Sequence, residues 1–307
     1  MTLHMTKKDG ALVVLAALVL LMVGVLGWWH LGQATLLLLP VLAALLLLMV
    51  LVEGYRRLSA ELRDYHRRHE SHRQQDYRQL EAFVSLCFTL QPRLPLPQTR
   101  GWAASPDLLQ KITEVIFREK PGLVLEASSG VSTLVIAYGL QQVGQGKVVA
   151  LEHDAHYADM SQRLIAFHGL EDIATIVYAP LKGFEHQEQR WLWYNLDGVP
   201  IEQPIDLLVI DGPPGDVQPL ARYPAVPLLY RNLNDPSTII LDDGHREDEQ
   251  QTVARWEQEF RQLSSEFLDL EKGAYVLHKN SPAPSHVPSG HVREAHSVLP
   301  GPSSGLV

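Results

Sequence analysis

Three apolar runs in this chain stop at acidic residues, and acids at the ends of buried strands can bind hydroxyls, take a proton or hold a cation. Lys147 to Leu151 leads to Glu152, Ile205 to Ile210 leads to Asp211, and Thr238 to Leu241 leads to the pair Asp242-Asp243. In an open parallel sheet, ligands collect outside the carboxyl ends of the strands, so these acids should line one crevice. Asp211, Asp242 and Asp243 would repel one another there unless a cation or a buried partner compensates. Oxygen-rich ligation suits Mg²⁺ or Ca²⁺ better than zinc. The alternative is that Asp242 or Asp243 caps the following helix, Arg246 to Leu263, or pairs with Arg222 or Arg246. His245 stands beside the pair, and an ordinary imidazole could take a proton from a substrate hydroxyl at neutral pH.

The elements that must position these groups begin at Leu123. Leu123-Val124-Leu125 is a short apolar run behind Pro121-Gly122, suited to a strand buried on both faces. Ala127-Ser128-Ser129-Gly130 turns the backbone sharply, and Ser132 and Thr133 supply hydroxyls at the start of a helix from Val131 to Val143. Glu152, roughly twenty residues past the turn, is placed to accept hydrogen bonds from ribose hydroxyls. Only Gly130 stands for the glycines of the dinucleotide pattern, which counts against a nicotinamide-dependent oxidoreductase. A βαβ unit that binds nothing is the plain alternative.

The order Glu126-x-x-Ser129-Gly130-x-Ser132-Thr133, Glu152, IDLLVIDGPPG, ARYPAVPLL and IILDDGHREDE resembles bacterial class I S-adenosylmethionine-dependent methyltransferases. The resemblance runs from about Pro97 to His278. It implies an α/β, Rossmann-like fold: a seven-strand, mostly parallel sheet with helices on both faces and the last strand antiparallel. It also implies S-adenosyl-L-methionine as cofactor, held by Glu126, Ser128, Ser129, Gly130, Ser132, Thr133, Glu152, Ala179 and Asp211. Ser128 stands where such enzymes usually have glycine. The acidic strand ends are similar to the metal-dependent catechol O-methyltransferase type, which implies a Mg²⁺ ion on Asp211, Asp242 and Asp243. No lysine base follows Asp211, where Gly212-Pro213-Pro214 stand, so Asp211 and His245 are the catalytic candidates.

Outside this region the chain reads differently. Ala11 to Trp29 and Leu36 to Val52 are apolar and uncharged, the first long enough at 1.5 Å per residue for the ~30 Å of a bilayer core. Lys7-Lys8 and Arg56-Arg57 flank them, so residues 1–52 are expected as a transmembrane hairpin with both ends in the cytoplasm. Residues 53–96 read as a juxtamembrane helix and Pro-rich linker, with a seam through Leu58, Leu62 and Tyr65 that could pair two copies. Residues 97–279 form the expected methyltransferase domain. Lys182 to Pro204, with Trp191, Trp193 and Tyr194, shows no regular pattern and reads as a long insertion, its aromatics either a binding loop or a roof on the sheet. Residues 280–307, rich in Pro, Ser, Gly and His, should be disordered.

A net charge of -9 argues against nucleic acid as a partner, and the single Cys87 excludes an intrachain disulfide. The expectation is a multi-pass protein of the inner (cytoplasmic) membrane with its catalytic domain in the cytoplasm. It would methylate a hydroxyl of a small-molecule or lipid-linked glycan acceptor at the cytoplasmic membrane face. A non-catalytic membrane scaffold retaining the fold is the remaining alternative.

Overall fold

Strand β1, Leu123–Ala127, is buried at every position and forms the middle of a seven-stranded sheet. A computed structural model describes residues 34–280 and a few positions between 18 and 29. Two compact units divide it, residues 1–77 and 78–307.

In the first unit the described chain is helical. Helix α1, Ala34–Leu90, runs on into the second unit and contains Pro40. Most of the first expected membrane run lies outside the described residues, and the second is the opening part of α1. Among the described residues no helix is long and apolar enough to cross a membrane, so the hairpin expectation is not supported. Arg57 pairs with Glu53 at 3.1 Å and Arg67 with Asp64 at 3.2 Å, both exposed, as befits a solvated helix. The tail expected to be disordered lies outside the described residues beyond Asn280.

In the second unit, helices and strands follow the apolar periodicity. Helix α2, Pro106–Glu119, has Pro in its favoured first turn and buries Leu108, Leu109, Ile112, Val115 and Ile116 at helical spacing. Helix α3, Val131–Val143, and helix α4, Ala155–His168, each end on a left-handed glycine, Gly144 and Gly169. Asp154 caps α4, its carboxylate accepting from the backbone N–H groups of His156 and Tyr157. Strands β2, Lys147–Glu152, and β3, Ala174–Tyr178, run parallel to β1.

Residues 181–194 form a hairpin of β4, Leu181–His186, and β5, Gln189–Tyr194, where the sequence shows no regular pattern. Its turn residues Gln187 and Glu188 both take positive φ, 50° and 61°, without a glycine to announce it. Strand β6 is Ile205–Ile210 and helix α5 is Ala225–Leu229. Strand β7, Leu233–Asp242, starts earlier than its apolar core Thr238 to Leu241, and helix α6, Glu247–Glu259, ends earlier than expected. Strands β8, Leu263–Leu268, and β9, Ala274–Lys279, close the chain.

The sheet order is β3-β2-β1-β6-β7-β9-β8. Only β9 is antiparallel to its neighbours, so the expected seven-strand, mostly parallel sheet is present. One face is covered by α2, α3, α4 and the end of α1, where Leu86 and Leu90 are buried. The other carries Trp191, Trp193 and Tyr194 of the hairpin with Trp256 of α6. The hairpin aromatics therefore roof the sheet.

Candidate active site

Strand register brings the predicted acids into one row. Ala127 pairs with Leu151 on one side and Ile210 on the other, and Ile210 pairs with Leu241. The next residues, Glu152, Ser128, Asp211 and Asp242, therefore stand side by side at the carboxyl edge, roughly 4.8 Å apart strand to strand. Backbone bonds continue the pairing: Ser128 N donates to Leu151 O and Asp211 N to Ala127 O, both at 3.0 Å. The strand order reverses beside β1, which makes this edge the topological switch point where such sheets bind ligands.

At the β2 end, Glu152 is 4% exposed. Ser129 Oγ donates to its Oε2 at 3.1 Å, and the backbone N–H of Asp154 donates to Oε1 at 3.0 Å. Ser129 Oγ also lies 2.8 Å from Ser161 Oγ, and His153 Nδ1 3.1 Å from Glu152 Oε1. Ala179 is buried beside them, its N–H donating to Glu152 O at 2.7 Å. A fixed carboxylate facing the crevice suits a vicinal diol, whose two hydroxyls can each donate to one oxygen.

The turn between β1 and α3 carries strain that its sequence only half shows. Ser128 has φ 112°, a region side chains avoid, and it is the position where the resembled enzymes carry glycine. Gly130, at φ 153°, opens α3, and its N–H donates to Thr133 Oγ1 at 3.0 Å. Thr133 Oγ1 in turn donates to Glu126 Oε2 at 2.6 Å. Glu126 is fully buried, and burial pushes its carboxyl up to about 7 against hydrogen bonds from Ser132 and Thr133. Its Oε1 is buried and makes no hydrogen bond among the described residues.

At the β6 and β7 ends, Asp211, Asp242 and Asp243 converge as expected, with one oxygen of each within 4.8 Å of the others. The compensating charge is a buried arginine from the loop before α5. Arg222 Nη2 lies 2.6 Å from Asp243 Oδ2 and 3.1 Å from Asp211 Oδ1, and Nη1 donates to Asp242 O at 2.9 Å. Its Nε lies 3.6 Å from Glu249 Oε1, and Arg246 Nη1 adds a second cation 2.9 Å from Asp243 Oδ2. Lys272, on the β8–β9 turn, is 3.9 Å from Asp242 Oδ2. Burial pushes the Asp211 carboxyl up to about 6 despite Arg222, and the Asp242 carboxyl up to about 8, with Asp211 and Asp243 adding to the rise. The cluster thus sets the acids Asp211, Asp242, Asp243 and Glu249 against Arg222, Arg246 and Lys272, with the Asp242 carboxyl the most strongly raised toward its neutral form.

That balance bears on the expected Mg²⁺. The ion needs carboxylate oxygens at 2.0–2.1 Å in an octahedron, but the Asp211 and Asp243 oxygens already bind a buried guanidinium. Arg222 thus supplies positive charge that relieves their repulsion, while one oxygen of each of the three acids still lies within 4.8 Å of the others. The signal for it was ARYPAVPLL, an arginine in an otherwise apolar segment.

His245 is brought near the pair in sequence but its side chain turns elsewhere. It is 50% exposed, lies 3.6 Å from Asp269 and packs edge-on against Phe267. No hydrogen bond or ion pair links its side chain to the three acids among the described residues. Sequence reasoning missed Ser161, Lys272 and the place of Tyr194 in the crevice; no local pattern marks them, since all three are positioned by elements distant in the chain.

Residues 127–244 match the family model described as a methyltransferase domain, a stretch that runs from the end of β1 through Asp243. No curated protein matches the chain. Solved structures with a similar fold include an S-adenosylhomocysteine-bound methyltransferase from Podospora anserina (14% identity, 66% of this chain and 88% of that one, TM-score 0.45). An O-methyltransferase from Bacillus cereus in complex with S-adenosylhomocysteine is similar at 16% identity (65% and 91%, TM-score 0.44). A third is the O-methyltransferase of Streptomyces achromogenes involved in tomaymycin synthesis, in complex with S-adenosylmethionine (15% identity, 66% and 90%, TM-score 0.45).

Proposed function

We propose that this chain is an S-adenosylmethionine-dependent O-methyltransferase acting on a hydroxyl of a small-molecule or lipid-linked acceptor. The observation that carries the reading is the row Glu152, Ser128, Asp211 along one sheet edge, within the stretch that matches a methyltransferase domain. Glu152 would hold the ribose hydroxyls, and the Ser128 to Thr133 turn the methionine end. The bound cofactor supplies an electrophilic methyl group.

What remains for the protein is to hold the acceptor oxygen in line with that methyl and to relieve it of its proton. Asp211 suits the second task. At about 6 its carboxyl is ionised at neutral pH yet more basic than an ordinary aspartate, and Arg222 fixes its orientation. Protonated Asp242 can hydrogen-bond the acceptor as a donor, since its Oδ2 makes no hydrogen bond among the described residues, with Lys272 Nζ 3.9 Å away.

The test is calorimetric titration with S-adenosylhomocysteine and, separately, NAD. Wild type should bind the first, and Glu152→Ala should weaken it by about 1.5–3 kcal/mol while the domain stays folded. Tighter binding of NAD, or unchanged affinity in the variant, would overturn the reading.

The same proposal sets the domain at the cytoplasmic face of a membrane. Its support is the start of α1, where Val41, Leu45, Leu48 and Met49 are exposed ahead of Arg56-Arg57. Flotation with anionic vesicles should carry the full-length chain. Undiminished flotation of a Leu45→Glu, Leu48→Glu variant would contradict it.

A further inference from the structure

Hairpin β4–β5 ends in a tyrosine whose hydroxyl reaches the middle of the crevice. Tyr194 pairs with Leu181 across the hairpin, and Asn195 N donates to Pro180 O at 3.1 Å, so the strand ends are tied down beside Ala179. The ring stands edge-on to Trp193, with centroids 5.1 Å apart, and to His153 at 5.9 Å, and only 3% of the residue is exposed. His153 follows Glu152 at the end of β2. On the other side, a Cβ built on Gly212 would come 2.3 Å from Tyr194 Oη and 3.2 Å from Ser128 Cβ, so all three groups meet over the residue that follows Asp211. The hydroxyl thus lies against Gly212 beside Ser128, close enough to Glu152 and Asp211 to feel both their charges.

Its surroundings are charged: Glu152, Asp211 and Glu126 are the acids that act on it, and the Arg222 guanidinium is the cation that partly offsets them. Burial first, and then the charges on Glu152 and Asp211, hold the phenol well above its usual range, so it is neutral at any working pH. Among the described residues its oxygen makes no hydrogen bond, although buried phenols nearly always find a partner. A neutral oxygen with a free lone pair, flanked by carboxylates, favours a positive group beside it.

We propose that Tyr194 is a cofactor-contacting residue whose hydroxyl oxygen faces the sulfonium of S-adenosylmethionine and so distinguishes the charged cofactor from its neutral thioether product. The inference rests on the reading of the crevice as an S-adenosylmethionine site. With Glu152 on the ribose hydroxyls and Asp211 at the acceptor, the part of the cofactor lying between them is the sulfur and its attached carbons. A charge–dipole contact there acts on the sulfonium and vanishes in S-adenosylhomocysteine, which would ease product release.

The experiment measures dissociation constants for both S-adenosylmethionine and S-adenosylhomocysteine with the full-length protein, as wild type and as Tyr194→Phe. The variant keeps the ring and its packing on Trp193 and His153. It should bind S-adenosylmethionine about tenfold more weakly and S-adenosylhomocysteine nearly unchanged. Tyr194→Leu, which also removes the hydroxyl, should show the same selective loss and serves if Tyr194→Phe folds poorly. Equal weakening of both ligands would mean that the hydroxyl is structural and would overturn the proposal, as would no change in either. A wild type that binds neither ligand would instead remove the cofactor reading on which the proposal stands.

Discussion

Arg222 Nη2 lies 2.6 Å from Asp243 Oδ2 while the same guanidinium reaches Asp211 Oδ1 at 3.1 Å, so one buried cation joins the ends of β6 and β7. A guanidinium can do this because its fixed fork presents several N–H donors at once, where a lysine offers a single point charge. The acids at the strand ends therefore carry their own counter-ion.

Methyl transfer should accordingly proceed at its full rate in excess EDTA, and added Mg²⁺ should leave it unchanged. Arg222→Met should destabilise the domain by about 3–5 kcal/mol, because it leaves buried carboxylates without their partner. Assays with and without chelator, and urea unfolding of the variant, check the two halves. Loss of turnover in EDTA that Mg²⁺ restores would return the site to the metal-dependent type.

If Asp211 takes the acceptor proton, it must be ionised to do so, and activity should climb as pH rises through its value of about 6. Asp211→Asn should lower kcat/KM by a factor on the order of 10² to 10⁴ and abolish that limb of the profile. His245→Ala, at a half-exposed residue paired with Asp269, should leave both nearly as they were. A large loss in His245→Ala with Asp211→Asn still active would exchange their roles.

The acidic strand ends, the turn at Ser128 to Gly130 and the parallel strands were legible because each is announced locally, by an apolar run and the residue that stops it. Helix α2 was legible to its ends because Ser105-Pro106 opens it and the periodicity closes at Glu119. The hairpin β4–β5 was not, since it turns at Gln187-Glu188 with two positive φ values on residues that do not prefer them. Tertiary packing of Trp191 and Trp193 on the sheet pays for that turn, and packing is invisible in a window of sequence. Nor could spacing reveal which alternative would hold for the acidic pair. Arg222 was one of two arginines that could reach it, and only the fold buries one and leaves the other half-exposed.

The Asp242 carboxyl, raised from 3.8 to about 8 chiefly by burial, makes a stability prediction with a definite sign. Between pH 4 and 8 the folded chain retains a proton that the unfolded chain has released, so this group's contribution to stability falls as pH rises through that window. Asp242→Asn mimics the protonated acid at every pH. Relative to wild type it should gain on the order of 1–3 kcal/mol in going from pH 5 to pH 8. Thermal or urea melts across that range measure it. A parallel pH dependence for the two proteins would show that Asp242 is ionised in the folded state.

Gly212 offers the sharpest check on where Tyr194 stands. A methyl group at position 212 would lie 2.3 Å from Tyr194 Oη but 3.3 Å from the nearest backbone atom, Ala127 O. The severe overlap is thus with one hydroxyl, and that hydroxyl cannot swing freely because its ring is held between Trp193 and His153. Gly212→Ala should destabilise the domain by about 1–3 kcal/mol, as overpacking does in a closed interior. Tyr194→Phe removes the offending atom, so the double variant should recover part of that loss. A double-mutant cycle measured by urea unfolding should give a favourable coupling energy of about 0.5–3 kcal/mol. Strict additivity would mean that the phenol does not lie over Gly212.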